Sequence, residues 1–222
     1  PSAPALLGDV DADGLPWDTR IHSGGKTLTC AFSMLTNATT ITLADNWIVN
    51  GLTSISPTTG TATFNGNQMT CVGGFTGPTS TGAVAGTTKF VLTGGTWSQA
   101  GSAALRNNVD LAGNVTVSGT VVYGITGQTL TYVSGTIVTT GSTLSLANGT
   151  ILNTNGVTWN NITLGNGVSV TLNSRLNWSG TLSPVTATNT AMTFGGTGTL
   201  NGTGAVDLSV STSTYTLTLN NT

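Results

Sequence analysis

Charge is nearly missing from this sequence. There is no glutamate, and seven aspartates, two lysines and three arginines are the only formally charged side chains in 222 residues, beside one histidine. A surface so poor in cations has no basic patch for phosphates, which excludes nucleic-acid binding. It also has no polybasic face for anionic lipid. Helix-forming residues are scarce, and no apolar run recurs at helical spacing. No stretch approaches the ~20 apolar residues of a membrane-spanning helix. Two cysteines, Cys30 and Cys71, and a distant His22 are too few for a zinc site; they read as two buried thiols or as one disulfide. No nucleophile elbow and no phosphate loop occurs, and no cofactor is expected.

What fills the chain instead is Gly, Ser, Thr and Asn. Apolar residues alternate with Thr and Ser instead of thinning out, so the composition is that of strands, not of disorder. Thr and Val suit a pleated surface through their branched Cβ. Between residues 119 and 164 a short phrase recurs: Gly119-Thr-Val-Val-Tyr, Gly135-Thr-Ile-Val-Thr and Gly149-Thr-Ile-Leu-Asn. Each is followed by a second apolar segment, at Thr129–Val133, Thr143–Ala147 and Val157–Ile162. Gly119, Gly135 and Gly149 are almost evenly spaced, and recurrence at a near-fixed period marks a repeat array. A longer echo links the segment from Asn107 to the segment from Asn160.

The fold expected is all-β: a right-handed parallel β-helix with two or three short strands per turn and a short extended N-terminal arm. The rival is an antiparallel sandwich or hairpin array, since short Gly-containing gaps also suit hairpins. Residues 1–25 read as an attachment or capping segment. Residues 26–92 read as an irregular β region, with Gly73 to Thr88 a surface excursion. Residues 93–222 read as the regular repeats; the strand ending the chain has no cap, so either the repeats continue beyond 222 or this end packs on another subunit. The Asn pairs at 107–108 and 160–161 fit an amide ladder between turns. Trp97, Trp159 and Trp178 recur in similar surroundings, either as a core stack or as an exposed platform for sugar rings.

The head of the chain differs from the rest. Residues 9–22 hold four of the seven aspartates and the only histidine. Asp9, Asp11, Asp13 and Gly14 match the start of a calcium loop, but Arg20 stands where its bidentate carboxylate should be. They are weak calcium candidates, and a polar turn with Asp side chains bonding backbone amides is the plainer reading. The string Asp11-Ala-Asp-Gly-Leu-Pro-Trp-Asp-Thr-Arg-Ile-His22 resembles a short module of tailed-bacteriophage proteins, D-x-x-G-x-P-W-D-x-R-I-H. The module's usual basic continuation is absent here; Ser23-Gly-Gly-Lys leads straight into strands. The repeats that follow resemble the Gly/Thr-rich β-helices of phage tail fibres and bacterial adhesins. Trp17 offers a flat anchor, and Asp18 and Arg20 can pair across a tight turn, so Trp17, Asp18, Arg20 and His22 are the docking candidates.

These resemblances imply a structural virion protein: a fibre, spike or decoration protein, assembled in the host cytoplasm. Its partners would be other virion subunits and copies of itself, a trimer being favoured, with host surface carbohydrate as a further contact. It would not insert into a membrane. The alternatives are a bacterial cell-surface adhesin and a tailspike-type depolymerase. After residue 22 the acids are Asp45, Asp110 and Asp207, far apart in sequence, which predicts a non-enzyme.

Overall fold

The computed structural model describes residues 20–34, 40–57, 59–78, 82–99, 101–165, 167–185, 191–208 and 216–219. Within them the chain winds as a parallel β-solenoid, and every strand pairing is parallel. This excludes the hairpin array. The first sheet holds β1 (Arg20–Ile21), β4 (Thr40–Leu43), β7 (Gly60–Gly66), β10 (Gly82–Ala85), β13 (Leu105–Arg106), β16 (Thr120–Tyr123), β19 (Thr143–Leu146), β22 (Asn161–Leu164), β25 (Thr181–Pro184) and β28 (Ala205–Val206). The second holds β2 (Thr27–Leu28), β5 (Trp47–Val49), β8 (Met69–Cys71), β11 (Phe90–Leu92), β14 (Val109–Ala112), β17 (Thr129–Ser134), β20 (Thr150–Asn153), β23 (Val168–Leu172), β26 (Ala191–Gly196) and β29 (Thr216–Leu219). The third face is split. One part holds β3 (Phe32–Met34), β6 (Thr53–Ile55), β9 (Gly74–Gly77), β12 (Thr96–Gln99), β15 (Val115–Val117) and β18 (Ile137–Val138). The other holds β21 (Thr158–Trp159), β24 (Leu176–Trp178) and β27 (Leu200–Gly202).

The alternation seen in the sequence sorts side chains between inside and outside. In β19 Leu144 and Leu146 are buried while Thr143 and Ser145 face out, and β22 repeats this with Ile162 and Leu164. Only one side of each sheet is buried, so parallel strands here need not be continuous Val/Ile runs. The inward residues form one core from Met34 to Phe194. In its first turns that core is aromatic. Phe32 meets Phe64, and Phe64 meets Phe90, edge to face with ring centroids 6.4 and 5.9 Å apart.

One full turn runs from Leu105 to Tyr123 at its shortest and from Ala191 to Thr216 at its longest. The steps from Gly119 to Gly135 and from Gly135 to Gly149 are shorter than either, so the recurring phrase is not a turn. Its three copies fall on β16, β18 and β20, which belong to three different sheets. The echo from Asn107 and Asn160 likewise joins β14 of the second sheet to β22 of the first. What repeats is a turn followed by a strand, once per face.

The sheets run through residue 93 without a break. The segment expected as an excursion, Gly73 to Thr88, contributes β9 and β10, with Phe75 and Val84 fully buried. Its small residues serve close packing. At the corner between the second and third sheets, Gly51, Gly73, Gly95, Gly113 and Gly135 stand on successive turns. A Cβ at any of them would run into backbone of the turn before.

The asparagine ladder takes a different form from the one expected. Among the described residues, Asn201 alone bonds another asparagine, donating from Nδ2 to Asn177 Oδ1 at 2.9 Å. Elsewhere asparagines bridge turns through the backbone. The Oδ1 atoms of Asn108 and Asn161 accept the N–H of Thr129 and Thr181, both at 2.9 Å, and Asn107 Nδ2 donates to Thr88 O at 3.0 Å. Thr129 and Thr181 each open a strand, β17 and β25, and a side-chain carbonyl of the preceding turn completes the hydrogen bonding of that first amide.

Candidate functional site

Trp17 and Asp18, and with them Asp9, Asp11 and Asp13, lie outside the described residues. Arg20 opens β1, its backbone in register with Thr42. His22 is exposed at the start of the turn from β1 to β2. That turn is held from the next one. Asp45, between β4 and β5, accepts the Ser23 N–H on Oδ1 at 2.8 Å and the Gly24 N–H on Oδ2 at 2.7 Å. Ser23 Oγ donates to Asn46 O and accepts from Gly25 N, both at 3.1 Å. Gly24 and Gly25 have φ of 60° and 72°, which lets consecutive amides converge on one anion. Ser23, its amide foremost and then its side chain, and after it the Gly24 amide hold the Asp45 carboxyl below the usual aspartate range. Asp45 drew no attention in the sequence as a site. Only the register shows the relation: Asp45 follows Ser23 by the same offset as Thr42 follows its register partner Arg20.

The three tryptophans do not form a sugar platform. Trp97, Trp159 and Trp178 are 1 %, 0 % and 6 % exposed, so no indole face is open to a ring. Trp97 packs edge-on against Tyr123, and Trp178 Nε1 donates to Ala205 O at 3.3 Å. Large aromatics gain most from burial, and inward strand positions put these here.

The three solenoid carboxylates do not converge. Asp45 sits in the second turn, Asp110 in β14 of the fifth, and Asp207 just past β28 of the tenth. Turns are ~4.8 Å apart, so Asp45 and Asp110 are about 14 Å apart along the stack alone. Glycosidase carboxyl pairs stand ~5–9.5 Å apart. Asp110 is also engaged, its Oδ2 2.8 Å from Lys89 Nζ on the adjacent strand's lead-in. Among the described residues no three of His, Cys, Asp or Glu gather where a metal could sit.

Cys30 and Cys71 are both free, and only Cys71 is buried. They stand two turns apart, about 10 Å along the stack, beyond the reach of a disulfide. Burial pushes the Cys71 thiol up to about 12.

The outer faces offer hydroxyls. On the third face Ser33, Ser54, Thr76 and Ser98 are register partners over four turns, and Thr76 Oγ1 lies 3.2 Å from Ser98 Oγ. Further along, a shallow open depression of about 300 Å³ is lined by Asn114, Val115, Thr116, Thr136 and Val138. It holds no charged side chain. Such faces can make hydrogen bonds and apolar contacts. No protein-family model, curated protein or solved structure matches this chain.

Proposed function

We propose that this chain is a structural component of a tailed-phage particle, a fibre, spike or decoration protein. Its head segment docks on other virion subunits and its solenoid projects. The observation that carries the reading is the conjunction of two features. The Pro16-Trp-Asp-Thr-Arg-Ile-His22 string resembles a phage module, and it runs directly into a stiff, nearly uncharged solenoid. Ten strands stacked at ~4.8 Å make a rod about 45 Å long with one continuous core, which suits projection and load more than catalysis. The free thiols fit assembly in a reducing cytoplasm.

The solution mass, by size exclusion with light scattering, tests the reading first. A trimer is expected, as in a fibre or spike. Trp17→Ala then separates docking from capping: lost assembly with an unchanged melting temperature supports docking. Hydrolysis of a host polysaccharide by the purified chain would replace this reading with the depolymerase one.

A further inference from the structure

We propose that Asp45 is a proton-operated latch on the first turn of the solenoid, holding the Ser23–Lys26 turn closed while ionised and releasing it when protonated.

The geometry comes first. One carboxylate spans two consecutive amides at 2.8 and 2.7 Å, and a protonated carboxyl cannot accept both with equal strength. The turn's other bonds are longer: Ser23 Oγ to Asn46 O across to the next turn, and within it Gly25 N–H to Ser23 Oγ and Lys26 N–H to Ser23 O, each at 3.1 Å. The strands on either side of it, β1 and β2, are two residues long, and His22, Gly24, Gly25, Lys26 and Thr27 are exposed. Leu28 and Phe32 are only partly buried. A turn with so few buried contacts opens locally before the stack does.

Among the described residues the charged surroundings are sparse. His22 and Lys26 lie in the latched turn itself. On the other side Gly66, Asn67 and Gln68 of the following turn carry no charge. Of the other solenoid carboxylates, Asp110 is tied to Lys89 and Asp207 is eight turns away. Among the described residues acid therefore acts at separate points, and Asp45, in the second turn, is the one that bonds the first. Its folded-state affinity for a proton is lowered by the Ser23 and Gly24 amides. The latch is thus fully closed above the ordinary aspartate value of about 3.9 and opens as pH falls through the lower folded value.

A nitroxide on Cys30 reports the first turn, because Cys30 is exposed and Cys71 is not. In the full chain, the spectrum should gain a fast component, reversibly, as pH drops below the aspartate range, while far-ultraviolet circular dichroism holds. Asp45→Asn should show the fast component already at neutral pH and no acid step. Asp110→Asn should keep the wild-type step. A step that survives in Asp45→Asn, or an Asp45→Asn spectrum as slow as wild type throughout, overturns the latch. The unmodified protein gives a second reading. The Ser23 and Gly24 amide proton resonances should move together in one titration below the aspartate range, and resonances that stay fixed overturn the latch equally.

Discussion

Trp159 and Trp178 are register partners on β21 and β24, and both indoles point into the core. The pair closes the third face where its six-stranded part has ended. Gly202 follows in register, and a Cβ there would enter the Trp178 ring. Trp159→Ala should cost about 3–5 kcal/mol, as large aromatic truncations in a core do. Trp178→Ala should cost less, since its site lies nearer the surface. Because register partners share one packing site, the double variant should lose less than the sum. Urea denaturation with unchanged slope checks all three.

The glycine corner makes a sharper comparison. Gly113 and Gly119 are close in sequence and differ in kind. A Cβ on Gly113 would strike the Thr93 carbonyl of the preceding turn, whereas one on Gly119 would meet nothing within 4 Å. Gly119 is constrained only by its φ of 67°. Gly119→Ala should therefore cost about 1–2 kcal/mol of left-handed strain. Gly119→Asn should recover part of that, since asparagine tolerates this conformation. Gly113→Ala should cost about 1–3 kcal/mol by overpacking, and Gly113→Asn should be worse, not better. If asparagine relieves both sites alike, the corner is not packed as described.

Gly119 and Gly135 show what the sequence disclosed. The β class was legible because Val-x-Val and Leu-x-Leu patterns, with Thr or Ser between, sort inside from outside; the stack was suggested by the recurring phrase, while the alternation suited hairpins as well. The period was not legible. Gly119 and Gly135 look equivalent in sequence, yet the first precedes a strand of the first sheet and the second a strand of the third. Turn chemistry repeats per corner, while pairing repeats per three corners. Gly73 to Thr88 looked like a loop because glycine and alanine stand where backbone passes close. Small size was the packing signal. Asp45 was hidden for another reason: its partners are amides a full turn away, and amides carry no side-chain signature.

Asn161 should behave as a backbone acceptor, not as a polar surface residue. Its Oδ1 takes the Thr181 N–H at 2.9 Å, and Gly180 leaves room for it, since a Cβ there would meet that oxygen. Asn161→Ala removes the acceptor and should cost about 1 kcal/mol. Asn161→Asp keeps an acceptor of the same shape and should stay near wild type at neutral pH, then weaken in acid as the carboxylate takes a proton. Equal losses for Ala and Asp would mean that the amide nitrogen, not the oxygen, matters there.

The two thiols should separate cleanly. Cys30 is exposed, while Cys71 lies in β8 with its side chain in the core, and burial raises its thiol to about 12. A thiol reagent at mildly alkaline pH should modify one cysteine per chain at once, and the second only on unfolding, because the thiolate is the nucleophile. The same shift sets a pH dependence. The folded state holds the Cys71 proton more tightly than the unfolded chain, whose thiol has the ordinary value of about 8.5. Its contribution to stability is thus complete below that value and is lost as pH rises from there towards 12. Cys71→Ala should flatten that alkaline decline while lowering stability at neutral pH by the cavity it leaves. Rapid modification of both thiols in the folded chain would contradict the placement of Cys71 among the inward residues of the second sheet.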